Sequence, residues 1–194
     1  MNANQARFAW LLIAALTAMP ATAAFDPLTS LVSKAISTTL DVRTKAEVTA
    51  DTEIATSASK ALLDDERAEW KGVSVLVFAQ HAVLAGSVKD GGTKKRVQEI
   101  VARDKRIRSL KNELRVAADT SFVGDTVVEE KINAVLTVAK GIASVNMRWK
   151  SVAGHVVLMG VAQSAGEAAL AQSKIRGLDG VKSVTPHLRI VAKN

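Results

Sequence analysis

The stretch "GHVVLMG", Gly154 to Gly160, is an apolar run held between two glycines. That is the outline of a strand leaving a turn, with a glycine near its far end where the strand bends. An earlier stretch, "HAVLAG" from His81 to Gly86, has the same outline, and the matching glycines Gly86 and Gly160 are 74 positions apart. The same offset relates Asp51-Thr52 to Asp125-Thr126, His81 to His155, Leu84 to Leu158, and Leu114-Arg115 to Leu188-Arg189. Chance identities would drift in register, so the chain is read as a duplicated module. Each unit has about 70 residues, near the lower limit for an independent core, and the two are expected to bury surface against each other.

The second unit is the easier to read. Asp125 can cap a helix, and Val128, Ile132, Val135, Leu136 and Ala139 fall on one helical stripe, with Gly141 as its stop. In "SVNMRWKSV" the alternation sets Val145, Met147 and Trp149 on the helix-facing side and Asn146, Arg148 and Lys150 on the other. Gly154 supplies a turn at positive φ and "VVLMGVA" is the returning strand. "SAGEAALAQSKIRGL" is a second helix ending near Gly177, and "GVKSVTPHLRIV" holds the last strand. The first unit repeats the order: a helix from Thr52 to Leu63, strands "VSVLVFA" and "HAVLAGSV", a helix opened by "KKRVQEIVARD", and a strand in "IRSLKNELRV". Gln80, Arg103 and Arg106 stand where the second unit has Gly154, Gly177 and Gly180, so the turns of the first unit are expected to differ. The fold class is α+β: two tandem αββαβ units, each a three-stranded sheet with two helices on one face.

The opening "MNANQARFAWLLIAALTAMPATA" has one Arg, an apolar stretch from Phe8 to Met19, then Pro20 and the small residues Ala21 and Ala23. This is the pattern of a secretory signal peptide over residues 1–23, with an apolar stretch too short for a membrane span, which needs about 20 residues. Export to the periplasm is the expected localisation. The chain has no Cys, which excludes disulfides, thiolate metal sites and a lipid-anchored cysteine. Residues 24–46 are an N-terminal segment ahead of units at 47–117 and 121–193.

"DTVVEEKINAVL", "VAGHVVLMGVA" and "IRGLDGVKSV" match, in order, the helix, hairpin and final crossover of the BON domain, and the resemblance runs from about residue 47 to 193. Two such units behind a signal peptide resemble the OsmY and DolP group of envelope proteins. That resemblance implies a periplasmic or outer-membrane-associated, non-enzymatic protein of envelope maintenance and osmotic stress, binding anionic phospholipid. An alternative within the same group is a soluble, chaperone-like or protein-interaction factor with envelope proteins as partners. Phospholipid-binding relatives carry a Trp near the start of the first helix of the second unit, where this chain has Val127.

Charge locates the candidate surface. The net charge of the full chain is +7. Within residues 89–116, cations at Lys94, Lys95, Arg96, Arg103, Lys105, Arg106 and Arg108, with three others, outnumber the four acids. Arg148 and Lys150 add a smaller basic face, joined by His187 and Arg189 if their strands are neighbours; the same face could instead meet the first unit. These residues suit an anionic phospholipid or lipopolysaccharide surface, at about 1 kcal/mol per basic residue. Export and the lack of interleaved aromatics argue against nucleic acid. A protein-interaction role would draw on apolar sheet residues such as Leu76 and Phe78. His81 and His155 share one hairpin position and read as structural, and no HExxH, GxSxG or phosphate loop is present. No catalytic residue, metal site or cofactor is therefore expected. The exported chain is expected to begin at or near Ala24; N-terminal sequencing of envelope-fraction protein checks this, and a mature chain retaining Phe8 to Met19 would contradict it.

Overall fold

The computed structural model describes residues 41–66, 72–117 and 122–191. The segment read as a signal peptide lies outside them. Helix α1 spans Lys45–Leu63, strand β1 Val73–Phe78, β2 His81–Val88, helix α2 Gly91–Val101, β3 Ser109–Asn112 and β4 Arg115–Val116. The second unit continues with α3 Phe122–Val138, a short 3-10 turn Ser144–Asn146, β5 Met147–Val152, β6 His155–Ala162, α4 Ala165–Arg176 and β7 Ser183–Ile190. In both units the first two strands form an antiparallel hairpin, and the last strand pairs parallel to the second.

Helix α1 begins seven residues before the Thr52 expected from its apolar stripe. Thr44 and Glu47 make a capping box: the Glu47 amide donates to Thr44 Oγ1 (3.2 Å) and the Thr44 amide to Glu47 Oε2 (2.8 Å). Such a reciprocal cap satisfies two otherwise orphaned amides and sets the helix start. Ile54, Ala58 and Leu62 face the first core together with Val75, Leu84, Val97 and Val101. Ile132, Leu136, Met147, Leu158, Ala171 and Ile175 build the second. Trp149 packs half-buried against that second core, its indole N–H donating to the Glu129 carbonyl (3.3 Å).

The repeated glycines have one shared cause. Gly86 and Gly160 lie at φ +124° and +133°, and a Cβ there would stand 1.9 Å from the Gly72 carbonyl oxygen or 2.0 Å from that of Asn146. Both sit in bends of the middle strand where the neighbouring strand crosses too closely for any side chain. The last strand differs between the units. In the second it is one eight-residue strand; in the first it is divided at Glu113 and Leu114 into β3 and β4, so that sheet counts four strands where three were expected. Asn112 explains the break: its Oδ1 accepts from the Leu114 amide (3.2 Å) and its Nδ2 donates to Gln98 Oε1 (2.9 Å). The matching residue of the second unit is Pro186, which has no such side chain.

The sheets pack back to back through the faces that carry no helix. Leu76, Phe78, Val83 and Ala85 from the first sheet bury against Val157, Met159 and Val161 from the second. The contacts follow a two-fold rule. Strand β1 meets β6, and its counterpart β5 meets β2. Glu113 accepts a hydrogen bond from or ion-pairs with its own repeat counterpart, His187 (Oε1 to Nε2, 2.9 Å), so the pseudo-two-fold axis passes between them. An arrangement in which i meets j and j meets i is that of an isologous dimer, here within one chain. Phe78→Ala is expected to cost about 3–5 kcal/mol and to lower the stability of both units in a single urea transition. Two separate transitions in the unsubstituted protein would contradict this shared core.

Candidate functional site

Each hairpin turn is held by one aspartate on the preceding helix. Asp51 accepts from the amides of Ala79 and Gln80 (both 2.7 Å), and Asp125 from those of Ala153 (2.8 Å) and Gly154 (3.1 Å). Asp125 is therefore not the helix cap expected from the sequence: α3 has already begun at Phe122, and the carboxylate is spent on the turn. The turns are alike. Ala79 and Gln80 take φ +49° and +63°, and Ala153 and Gly154 take +51° and +80°. The expected difference at Gln80 does not occur, because the Ala79 and Gln80 amides both donate to the Asp51 carboxylate and these charge-assisted bonds offset the backbone strain that glycine relieves in the second unit.

Asp51 also belongs to a charged cluster between the units. Arg43 pairs with Asp41 (2.7 Å) and Asp51 (2.8 Å), with its guanidinium centre 4.1 Å from the Phe78 ring centroid. Arg148 approaches the same ring at 5.6 Å and donates to the Val145 and Met147 carbonyls (2.9 and 2.8 Å). Burial and then the charge of Arg43 push the Arg148 guanidinium down to about 10. Burial would raise the Asp41 carboxyl, but hydrogen bonds and charge from Arg43 outweigh it and hold the group below the usual range. The Val42 amide donates to Asn146 Oδ1 (3.0 Å), so residues 41–43 fasten the two units together.

This placement decides between the two readings of the second sheet's face: it meets the first unit and is not an open basic surface. Arg148 is only 7% exposed and faces the first unit. Lys150 is bound to Glu129 at 3.0 Å, and His187 to Glu113. Of that face, only Arg189 stands exposed. Leu76 and Phe78 are likewise closed off, at 5% and 1% exposure, so the sheet surface considered for protein interaction is the joint between the units.

The cations of the first unit do not form one patch. Lys94, Lys95 and Arg96 sit at the start of α2, while Arg103, Lys105, Arg106 and Arg108 follow its end, an 11-residue helix of about 16 Å away. Arg96 pairs with Asp65. Arg106 is held by Asp104 (2.6 Å), Glu53 (3.3 Å) and the Ser57 hydroxyl (2.8 Å). Lys95 lies 3.9 Å from Glu99. Arg103, Lys105 and Arg108 are exposed and have no ion-pair partner among the described residues, as do Lys111 and Arg115, which the sequence reading counted in the segment without singling out. These five follow the loop and edge strands β3 and β4, so most of the unpaired charge among the described residues lies along a sheet edge, with Lys94 on α2 beside it.

Across that edge stands β7, and between the units opens a cleft of about 300 Å³ lined by Lys94, Glu113, Arg115, His155, Ser183 and Thr185. The two histidines occupy equivalent positions. His81 Nδ1 lies 2.6 Å from Ser109 Oγ, and His155 Nδ1 lies 2.7 Å from Ser183 Oγ. Burial lowers both imidazoles, and the next contributor crosses the joint in each case: Arg189 for His81 and Arg115 for His155. Among the described residues no group of three His, Asp or Glu side chains is placed to hold a metal ion, and no helix is long and apolar enough to cross a membrane.

Two αββαβ units joined back to back define a tandem α+β architecture. The BON domain profile matches residues 50–118 and 124–192, and the chain belongs to that family. It is similar to an uncharacterized protein in the gshII 5′ region of Anaplasma centrale, 26% identical over 125 residues that make up 62% of this chain and 83% of that protein. Among solved structures it overlaps the C-terminal domain of CdsD, a structural protein of the type III secretion system of Chlamydia trachomatis, at 14% identity and a TM-score of 0.31, over 73% of this chain and 67% of that one. A second structure of CdsD gives 14% identity and a TM-score of 0.32, over 73% and 65%.

The titrating groups fix a direction for acid stability. Both histidines are held below 6.5, so between that value and their folded pKa the unfolded chain binds more protons and stability falls as pH falls. Asp41 and Asp104 are held below 3.8, Asp104 chiefly by its hydrogen bond from Arg106. Their contribution is complete above about pH 4 and is lost as pH drops through their lowered values. Urea midpoints measured from pH 8 to 3 are expected to decline gently below about 6.5 and steeply below about 4, with Asp41→Asn flattening part of the steep limb.

Proposed function

We propose that the protein is a non-enzymatic envelope-maintenance protein of the periplasm whose BON units bind anionic phospholipid, or lipopolysaccharide, at the outer-membrane surface. The observation that carries this reading is the run of exposed, unpaired cations Arg103, Lys105, Arg108 and Lys111 along one sheet edge. A paired cation has little left to offer a headgroup, whereas a free one near an anionic surface contributes about 1 kcal/mol. Val127, at the place of the relatives' Trp, is 46% exposed on α3. A valine inserts far less apolar area than an indole, so attachment rests chiefly on charge. The interaction-factor alternative loses its strongest support with Leu76 and Phe78 enclosed between the sheets.

Co-sedimentation with anionic and neutral vesicles tests the proposal. Binding to anionic vesicles is expected to fade with salt as the Debye length shortens from about 10 Å at 0.1 M to about 3 Å at 1 M. Reversing Arg103, Lys105 and Arg108 to Glu is expected to weaken it about a hundredfold or more, given roughly 1 kcal/mol for each lost cation. The Lys94, Lys95 and Arg96 reversal is a poorer probe, because Arg96 is tied to Asp65. Binding that survives both high salt and the triple reversal would overturn the electrostatic reading.

A further inference from the structure

We propose that the cleft between the two units is a discrete site for a phosphate-type anion, held by Lys94 and Arg115 of the first unit and by His155 and Ser183 of the second. The inference does not rest on the surface reading above, which uses other cations. Three observations carry it.

The first is the donor set. Arg115 on β4, Lys94 on α2, the His155 ring on β6 and the hydroxyls of Ser183 and Thr185 on β7 line one opening of about 300 Å³. All are donors of the kind that grip phosphate oxygens, and the guanidinium can do so with two parallel N–H groups. Neither Lys94 nor Arg115 has a carboxylate partner among the described residues. The single acid in the lining, Glu113, is engaged by His187 at 2.9 Å.

The second is the local charge around His155. Burial disfavours its protonated form first, then the charges of Arg115 and Lys182, and Asp125 opposes them less strongly. The nearby charge at the ring is therefore net positive, and with Nδ1 against Ser183 Oγ, Nε2 is its remaining polar atom. An anion in the cleft would neutralise that potential and make protonation of the ring easier.

The third is a departure from the repeat. His81 and Ser109 reproduce His155 and Ser183, but the counterpart of Lys94 is Ala168, which is buried. The lysine in the cleft lining thus has no counterpart at its own position in the other half, where Lys111 stands in place of Thr185 instead. Neither the architecture of the unit nor its core requires a lysine there.

The test is imidazole NMR on the exported-length chain, with the His155 signals assigned by His155→Gln. Inorganic phosphate, glycerol phosphate and anionic phosphatidylglycerol vesicles are added in turn, against chloride at matched ionic strength. Phosphate and glycerol phosphate are expected to shift the His155 signals saturably and to raise its pKa, while chloride does neither. Arg115→Gln and Lys94→Gln, both on accessible side chains, should each weaken that response about tenfold or more, and Lys95→Gln should leave it unchanged. The response should persist in the Arg103, Lys105 and Arg108 triple reversal, which separates this site from the surface reading. Competition by vesicles would identify a lipid headgroup as the source, and its absence a soluble phosphate ester. A response matched by chloride, absent with both phosphates, or indifferent to Arg115→Gln and Lys94→Gln would overturn the proposal.

Discussion

Burial of the two helix-free sheet faces against each other is the constraint on which the rest of the molecule depends. A unit of about 70 residues encloses a small core, and each sheet here has helices on one side only. Left alone, either unit would expose a face carrying Leu76, Phe78 and Val83, or Val157, Met159 and Val161. Each large apolar side chain so covered contributes about 1.5–3 kcal/mol. The same joint dictates where polar groups can go. Arg148 projects from β5 into the joint and must find partners there, which it does in two carbonyls and the Phe78 face. Arg43 and its two aspartates complete a buried set with two charges of each sign. Such a set contributes little net stability over an apolar core of the same shape, but removing one member leaves the others uncompensated.

Much of the architecture was legible because it is periodic. The 74-residue offset exposed the duplication, and the stripe through Val128, Ile132 and Leu136 marked the buried side of α3. What was not legible depended on what covers a face. Alternation along β5 correctly set Arg148 opposite Met147 and Trp149, yet alternation says nothing about whether solvent or another sheet lies beyond. Asp125 was misread for a similar reason. A carboxylate in the first turn of a helix looks like a cap, and only the tertiary position of the hairpin shows that its partners are the Ala153 and Gly154 amides. The start of α1, by contrast, could have been found. Thr44 followed three residues later by Glu47 is a local signature that lay in plain view.

The basic segment shows how a charge count misleads without pairing. Residues 89–116 hold the excess, but Arg96 and Arg106 are drawn off by acids far away in sequence, Asp65 and Glu53, and by Asp104 close by. What remains unpaired among the described residues follows the loop after α2 and strands β3 and β4, with Lys94 on α2. Helix α2 stands between two groups of cations, and the loop and strand edge beside it carry most of the accessible charge.

Glu113 and His187 face each other on the pseudo-two-fold axis, and that position has a consequence peculiar to a fused pair. In an assembly of two identical chains, whatever residue occupies the axis must meet its own copy. A glutamate would oppose a glutamate and a protonated histidine another, so the centre of the contact could only be repulsive or neutral. Joining both units in one polypeptide frees the two positions to diverge. Here one is a carboxylate and the other an imidazole, and the centre of the joint is a point of attraction. It also makes the pairing directional: the first unit fits the second at this point better than either could fit itself, which disfavours pairing of like units between neighbouring molecules.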